Sequence, residues 1–235
     1  MTTISIPLFL TQEYKCSYLD GEQAQSAFVH PTFQLTSPIY SQLIEQGFRR
    51  SGDQVYVPKC LQCSACIPAR LAVNEFKASR NQKRCLKKNS QTQAAIKPPV
   101  FEQRHYDMFM RYQKMRHGDS SMAHSSPDEY LTFLGSTWCD TRFVEFSINN
   151  ELAGIAVVDY LDNALSAVYT FFDPGLSNYS LGAYAILWQI EHAMRQQLEY
   201  LYLGFWIKNC KKMSYKNEYQ PLQLFIDNCW TDLTP

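Results

Sequence analysis

The densest concentration of reactive side chains is Cys60-Leu61-Gln62-Cys63-Ser64-Ala65-Cys66. Three thiols at this spacing on a turn can converge on one soft metal, because each C-x-x-C segment bends back on itself. Cys16 is the natural fourth ligand, with Cys85 behind it. A closed set of Cys16, Cys60, Cys63 and Cys66 suits a structural zinc, and an iron–sulfur cluster would use the same thiolates. The competing reading makes these cysteines small hydrophobes around a buried turn. Catalytic use of a thiol would need a base or a helix N-terminus to lower its pKa, and neither stands at a recognisable spacing. Cys139, Cys210 and Cys229 are scattered and read as buried.

The second concentration is of charge. The chain of 235 residues is neutral overall, yet residues 67–100 carry eight Lys/Arg against the single acid Glu75. Lys208, Lys211, Lys212 and Lys216 form another acid-free run. Local basic patches on a neutral chain suit an anionic ligand held on one face. Solvated helix faces would explain each patch equally well.

The elements that must position these groups are legible in part. Ser37–Gln46 reads as a helix opened by Pro38 and closed by Gly47. Residues 48–57 read as a hairpin turning at Ser51-Gly52-Asp53, and residues 68–73 as a strand. Ser79 and Gln82 have capping-box spacing, which starts a basic helix over residues 80–89. Polar residues and a Pro pair in residues 91–99 suggest a boundary between a domain of residues 1–95 and one of 96–235. In the second part, residues 100–116 and 127–134 read as helices. Strands over 141–149 and 152–159 are joined at Asn149-Asn150, and a third runs over 164–172. A helix over 180–197, striped by Leu181, Tyr184, Ala185, Trp188 and His192, precedes a strand over 200–206. The class is α+β, and the order helix, helix, meander, helix, strand is that of a GNAT-like acyltransferase domain behind a smaller cysteine-containing α/β domain. There is no apolar run of about 18 residues to span a membrane. The first residues lack a basic, then apolar, export pattern, so a cytoplasmic protein with reduced thiols is expected.

Specific blocks carry a likeness. Cys16-Ser17-Tyr18-Leu19, Gly47-Phe48-Arg49-Arg50-Ser51-Gly52, Tyr56-Val57-Pro58-Lys59-Cys60, Cys63 through Arg70 and Ser79 through Arg84 resemble the N-terminal part of the arginyl/leucyl-tRNA–protein transferases. Arg116-His117, Tyr169 through Pro174, Ser180 through Tyr184, Tyr202 through Ile207 and Cys210 through Lys216 resemble the C-terminal part. The ordered set spans nearly the whole chain and looks most like the short bacterial branch, which transfers leucine. Leu19 stands where arginyl-transferring eukaryotic relatives carry a second cysteine associated with an iron–sulfur cluster.

The resemblance implies that leucine moves from leucyl-tRNA to the α-amine of proteins beginning with Asp or Glu, marking them for degradation by the N-degron pathway. That chemistry requires no cofactor, because the aminoacyl ester is already activated and the attacking amine has an unperturbed pKa of about 7.7–8.0. Positioning supplies much of the rate. The acceptor's carboxylate calls for a guanidinium fork, for which Arg49, Arg50, Arg80 and Arg84 are candidates with Lys83 in support. Lys87, Lys88, Lys208, Lys211, Lys212 and Lys216 could track the tRNA backbone. Phe171, Leu203 and Phe205 could line a leucyl slot, with core packing as the alternative. Tyr169, Asp173 and Tyr184 are the catalytic candidates, Asp173 doubling as a turn residue before Pro174.

Three rival functions fit the same elements. An arginyl donor would call for an acidic pocket, and residues 169–172 and 202–207 contain no acid. A coenzyme-A-dependent N-acetyltransferase would want a Gly-rich turn led by Arg or Gln, whereas residues 177–183 offer only Gly182. A non-catalytic tRNA-binding module would leave the second half without a role.

Overall fold

The computed structural model describes residues 5–117 and 124–233, and for His117 the backbone only. The first layer is antiparallel. Strands β1 (Leu8–Leu10), β2 (Tyr14–Lys15), β3 (Gln23–Ala24) and β4 (Ser26–Val29) lead into helix α1 (Ser37–Glu45). The hairpin of β5 (Arg49–Ser51) and β6 (Gln54–Pro58) completes a four-stranded sheet ordered β1-β4-β6-β5. Helix α1 begins with Pro38 in its first turn and ends before Gly47, whose φ of 89° stops the helix.

The remaining elements run β7 (Ile67–Ala72), α2 (Arg80–Lys88), β8 (Gln93–Lys97), α3 (Gln103–His117), α4 (Pro127–Leu134), β9 (Asp140–Ile148), β10 (Glu151–Tyr160), β11 (Ala164–Phe172), α5 (Leu181–Arg195), β12 (Tyr200–Trp206), α6 (Lys211–Ser214), β13 (Leu222–Ile226) and β14 (Cys229–Asp232). The strands form one eight-stranded sheet in the order β14-β13-β7-β12-β11-β10-β9-β8. The capping box of Ser79 and Gln82 forms as the spacing requires. Asn149 and Asn150 turn the β9–β10 hairpin with φ of 53° and 66°. Among the described residues no helix is long and apolar enough to cross a membrane.

Sheet membership does not follow the division at residue 95. Strand β7 is inserted between β12 and β13, and the polar stretch expected to separate two domains forms edge strand β8 on β9. Backbone hydrogen bonding recruits Gln93–Lys97 without an apolar pattern, which is why the sequence read as a break.

Alternate residues divide the large sheet between two faces. On one, α5 buries Leu181, Ala185 and Ile190 against Ala69, Leu71, Leu165 and Leu201. Each large apolar side chain buried this way contributes about 1.5–3 kcal/mol. On the other face, α3 and α4 bring Phe109 and Tyr130 onto Phe143, Ile155 and Phe171. Beside them the first layer docks through Tyr40, Ile44 and Val55 onto Tyr202.

Arg50 fastens that docking. Its side chain is wholly buried, with Nε and Nη2 each 2.6 Å from a carboxylate oxygen of Asp159 on β10. Nη1 donates to the carbonyls of Gly52 and Gly135, and Nη2 also to Thr141 Oγ1 and the Leu134 carbonyl. A guanidinium so fully engaged has no donor left for an acceptor substrate, so Arg50 is a structural clamp and not part of an acceptor fork.

Candidate active site

The gap between two neighbouring strands that part is the candidate cleft. β11 and β12 pair in parallel only at Ala164–Ser166 with Tyr200–Tyr202, after which β11 continues to Phe172 and β12 to Trp206 without a ladder. At the parting point β12 shifts register against β7 between Tyr202 and Gly204. Gly204 has a φ of 77°, and a Cβ there would meet nothing within 4 Å. The strand therefore bulges beside open space in an otherwise packed sheet.

Arg49 lies at this bulge. Its Nη2 donates to the carbonyls of Gly204 (3.2 Å) and Ala69 (3.4 Å), and its Nη1 to that of Phe48 (2.6 Å). The guanidinium sits 5.4 Å and 5.5 Å from the ring centres of Tyr202 and Phe205. The residue is 5% exposed, and its Nε has no partner. Burial lowers its pKa, and among the described residues no carboxylate pairs with it. An unmatched buried cation costs several kcal/mol, and aromatic faces and carbonyls offset only part of that.

A second cation is buried alongside. Lys216, in a 3-10 turn over Tyr215–Glu218, is 3% exposed. Its Nζ lies 3.4 Å from Met213 Sδ and 4.9 Å from the centre of the Tyr215 ring. Burial, and then the charge of Arg49, bring its pKa down to about 8, with Cys210 acting the other way. Trp206 Nε1 donates to the Ser214 carbonyl, holding this turn against the end of β12. Lys216 is thus no surface contact for a tRNA backbone. Its neighbouring lysines made it look solvated, but Tyr219 and Leu222 bury just beyond it and draw the turn inward.

The other lysines of that run, Lys208, Lys211 and Lys212, are exposed. So are Arg80, Lys83, Arg84, Lys87 and Lys88 on α2. Helix α2 is fixed by Gln82 Nε2 on the Glu218 carbonyl (3.0 Å) and by Asn89 Nδ2 on that of Tyr179 (2.8 Å). Its cations therefore stand beside the Lys216 turn and the start of α5.

Several expected site residues fall elsewhere. Phe171 is fully buried against α3 and α4, while Leu203 packs on the α5 face, so the two cannot line one slot. Strand alternation separates them. Phe205 alone of the three faces the cleft side, 6.1 Å from the ring of Tyr56. Tyr184 is packed against Phe146 in the α5 core. Tyr169 accepts a hydrogen bond from Gln113 Nε2 at 2.9 Å, and burial raises its pKa to about 12. Asp173 caps the turn after β11 by accepting from the Gly175 N–H at 2.8 Å and lies 3.6 Å from Arg111. The side chain of His117 lies outside the described residues.

The thiols gather without closing. Cys66 is half-buried, and its pKa is pushed up to about 12 by burial and by Cys60, Cys16, Cys63 and Cys210. Tetrahedral zinc with Zn–S bonds of about 2.3 Å holds its sulfurs about 3.8 Å apart. Among the described residues the three donors whose ligand atoms all lie within 4.8 Å of one another are Glu102, His105 and Glu145, not a set of cysteines. The donor chemistry suits a thiophilic metal; the spacing does not form its site. Glu102 and Glu145 are themselves neutralised by Lys97 and Arg104, which makes that trio an ion network. Cys139 and Cys210 are buried as expected, but Cys229 on the β13–β14 hairpin is exposed.

The candidate site is thus an α+β sheet parted beside two buried cations, Arg49 and Lys216, with exposed basic residues around it. The sequence matches the family "Arginine-tRNA-protein transferase" at both ends, the N terminus over residues 14–84 and the C terminus over residues 104–226. The chain belongs to this family of aminoacyltransferases. It is 46% identical over 228 residues to the aspartate/glutamate leucyltransferase of Pseudomonas syringae pv. tomato, covering 97% of each chain. The enzyme of the same name from Pseudomonas aeruginosa is 46% identical over 229 residues, again with 97% of each chain covered. Among solved structures, L-PGS from Bacillus licheniformis aligns with 60% of this chain and 45% of its own at 8% identity and a TM-score of 0.46, too partial a likeness to argue from.

Proposed function

We propose that this chain transfers leucine from leucyl-tRNA to the α-amine of proteins that begin with Asp or Glu, in the cytoplasm, marking them for degradation. The observation that carries the reading is Arg49, a buried guanidinium at the parted strands with an unpaired Nε and, among the described residues, no anion of its own. An acceptor's side-chain carboxylate would supply the missing charge and place its α-amine within one residue's reach. The curated relatives named for leucyl transfer to aspartate and glutamate support the same choice of donor and acceptor.

In this reading the C-terminal part is a GNAT-like domain whose strand splay admits the two reactants. The exposed lysines of α2 and α6 attract the tRNA backbone, with Arg80, Lys83 and Arg84 at the acceptor's approach. Phe205 and the space at Gly204 offer the leucyl side chain an apolar wall. The ester is already activated, so the protein's part is to bind, orient and exclude water. The thiol cluster braces the wall formed by the first layer, and no step passes through a metal.

The test is transfer of labelled leucine from leucyl-tRNA to peptides that differ only in residue one. Asp and Glu peptides are expected to be labelled, and an Ala peptide at least about 100-fold less, the scale on which an unfilled ionic site discriminates. Equal labelling of the Ala peptide, or a preference for arginyl-tRNA, would sink the reading.

A further inference from the structure

Lys216 is the least expected residue near the parted strands, its turn held against the end of β12 and its charge felt by that of Arg49. Its amine is buried with no carboxylate bound to it among the described residues, and its nitrogen lies against the Met213 thioether and the Tyr215 ring. The groups facing it are Arg49 from β5, Cys210 ahead of α6, and Tyr215 and Met213 from its own turn. Glu218, the nearest acid in sequence, is exposed. A lysine walled in this way loses its proton far more readily than a solvated one, because a second positive charge near Arg49 has nothing to balance it.

We propose that Lys216 is a catalytic residue that shuttles the proton of the transfer reaction. The inference rests on the leucyl-transfer reading. As the acceptor's nitrogen forms its bond to the leucyl carbonyl carbon, it must shed a proton, which the neutral Lys216 amine takes. As the ester bond between that carbon and the tRNA ribose oxygen breaks, the leaving oxygen needs a proton, which the Lys216 ammonium returns. One C–N bond forms, one C–O bond breaks, and the lysine ends as it began. The transient ammonium gains its charge just as the oxyanion develops beside it, so its cost falls where the reaction can offset it. Arg49 keeps the acceptor carboxylate and cannot share the proton's path, since a guanidinium does not deprotonate.

A simple pH profile would be ambiguous, because the acceptor's own α-amine has a pKa of about 7.7–8.0. Lys216→Met and Lys216→Ala are therefore assayed at saturating leucyl-tRNA with an Asp peptide, next to the unaltered protein. Both variants are expected to lose about 100-fold or more in kcat while the peptide KM stays within about twofold. Ethylamine added to Lys216→Ala is expected to restore turnover in proportion to its unprotonated fraction. Thermal melts identify any variant that fails to fold, and Lys216→Met, which only exchanges a buried charge for a thioether of similar length, keeps the test open if Lys216→Ala unfolds. Full kcat in Lys216→Met, a loss confined to KM, or no rescue of folded Lys216→Ala would overturn the assignment. Failure of the unaltered protein to transfer leucine would overturn the leucyl reading itself, which a silent variant beside an active parent does not.

Discussion

Arg49 and Arg50 are neighbours on β5 with opposite fates. Both side chains are buried, as expected of residues on a strand sandwiched between two layers. Arg50 meets Asp159 and a ring of oxygens that use every donor it has. Arg49 meets four carbonyls, two aromatic faces and, among the described residues, no acid, and it keeps a donor free. The difference separates structure from function without reference to any ligand. A charge matched by the protein holds the protein together, and a buried charge left unmatched waits for something else to match it.

The largest effect should come from breaking the matched side. Asp159→Ala strands Arg50 in the interior and is expected to cost about 3–5 kcal/mol of stability, read as a denaturation midpoint. Pairing it with Arg50→Met should recover much of that loss, because both charges then leave together. If Asp159→Ala alone were neutral, the clamp would carry no more than Arg49 does, and the contrast would collapse.

The unmatched side should respond in the reverse sense. Arg49→Met is expected to leave the melting temperature unchanged or raise it, since an uncompensated charge is removed. Transfer to an Asp peptide should fall about 100-fold, equal to about 2.7 kcal/mol, while the small transfer to an Ala peptide should stay level. A destabilised Arg49→Met with unaltered preference for acidic peptides would reassign Arg49 to the scaffold.

The two glycines of these regions sharpen the same contrast. Gly52, with φ of 60°, turns the β5–β6 hairpin beneath the Arg50 clamp, and a Cβ there would overlap the Thr132 carbonyl oxygen. Gly52→Ala is expected to cost about 1–3 kcal/mol, because a rigid backbone contact and an unfavourable φ must both give way. Its activity per folded molecule should be unchanged.

What the sequence could and could not show follows from the range of the interactions. Local patterns were readable: the Ser79–Gln82 cap, the Asn149-Asn150 turn, the Pro38–Gly47 helix and the long strands β9 to β12. Long-range pairing was not. Nothing in Gln93–Lys97 or Ile67–Ala72 announces that both join the large sheet, and the short strands β1 to β4, β13 and β14 are too brief to show a period. The same limit governs the site. Arg49 and Arg50 are indistinguishable in sequence, and Asp159, which tells them apart, is more than a hundred residues away. Lys216 looked like its exposed neighbours because only the packed turn buries it. Phe171 and Leu203 looked like a pocket because strand parity across two strands cannot be fixed without the bulge at Gly204.

That bulge supplies the finest test. Gly204→Ala meets no steric obstacle, since a Cβ there has open space around it, but alanine at φ of 77° is strained by about 1 kcal/mol. A small loss of stability is therefore expected, below that of Gly52→Ala. The added methyl would nonetheless stand in the parted strands, next to the carbonyl that Arg49 Nη2 holds at 3.2 Å. If the cleft is where leucyl and acceptor groups meet, Gly204→Ala should lower leucine transfer severalfold more than its stability loss explains, whereas Gly52→Ala should not. Measuring turnover per folded molecule for the pair decides it: equal activity in both variants would mean that the open space at Gly204 is a packing defect of the β12 bulge and that the reaction occurs elsewhere.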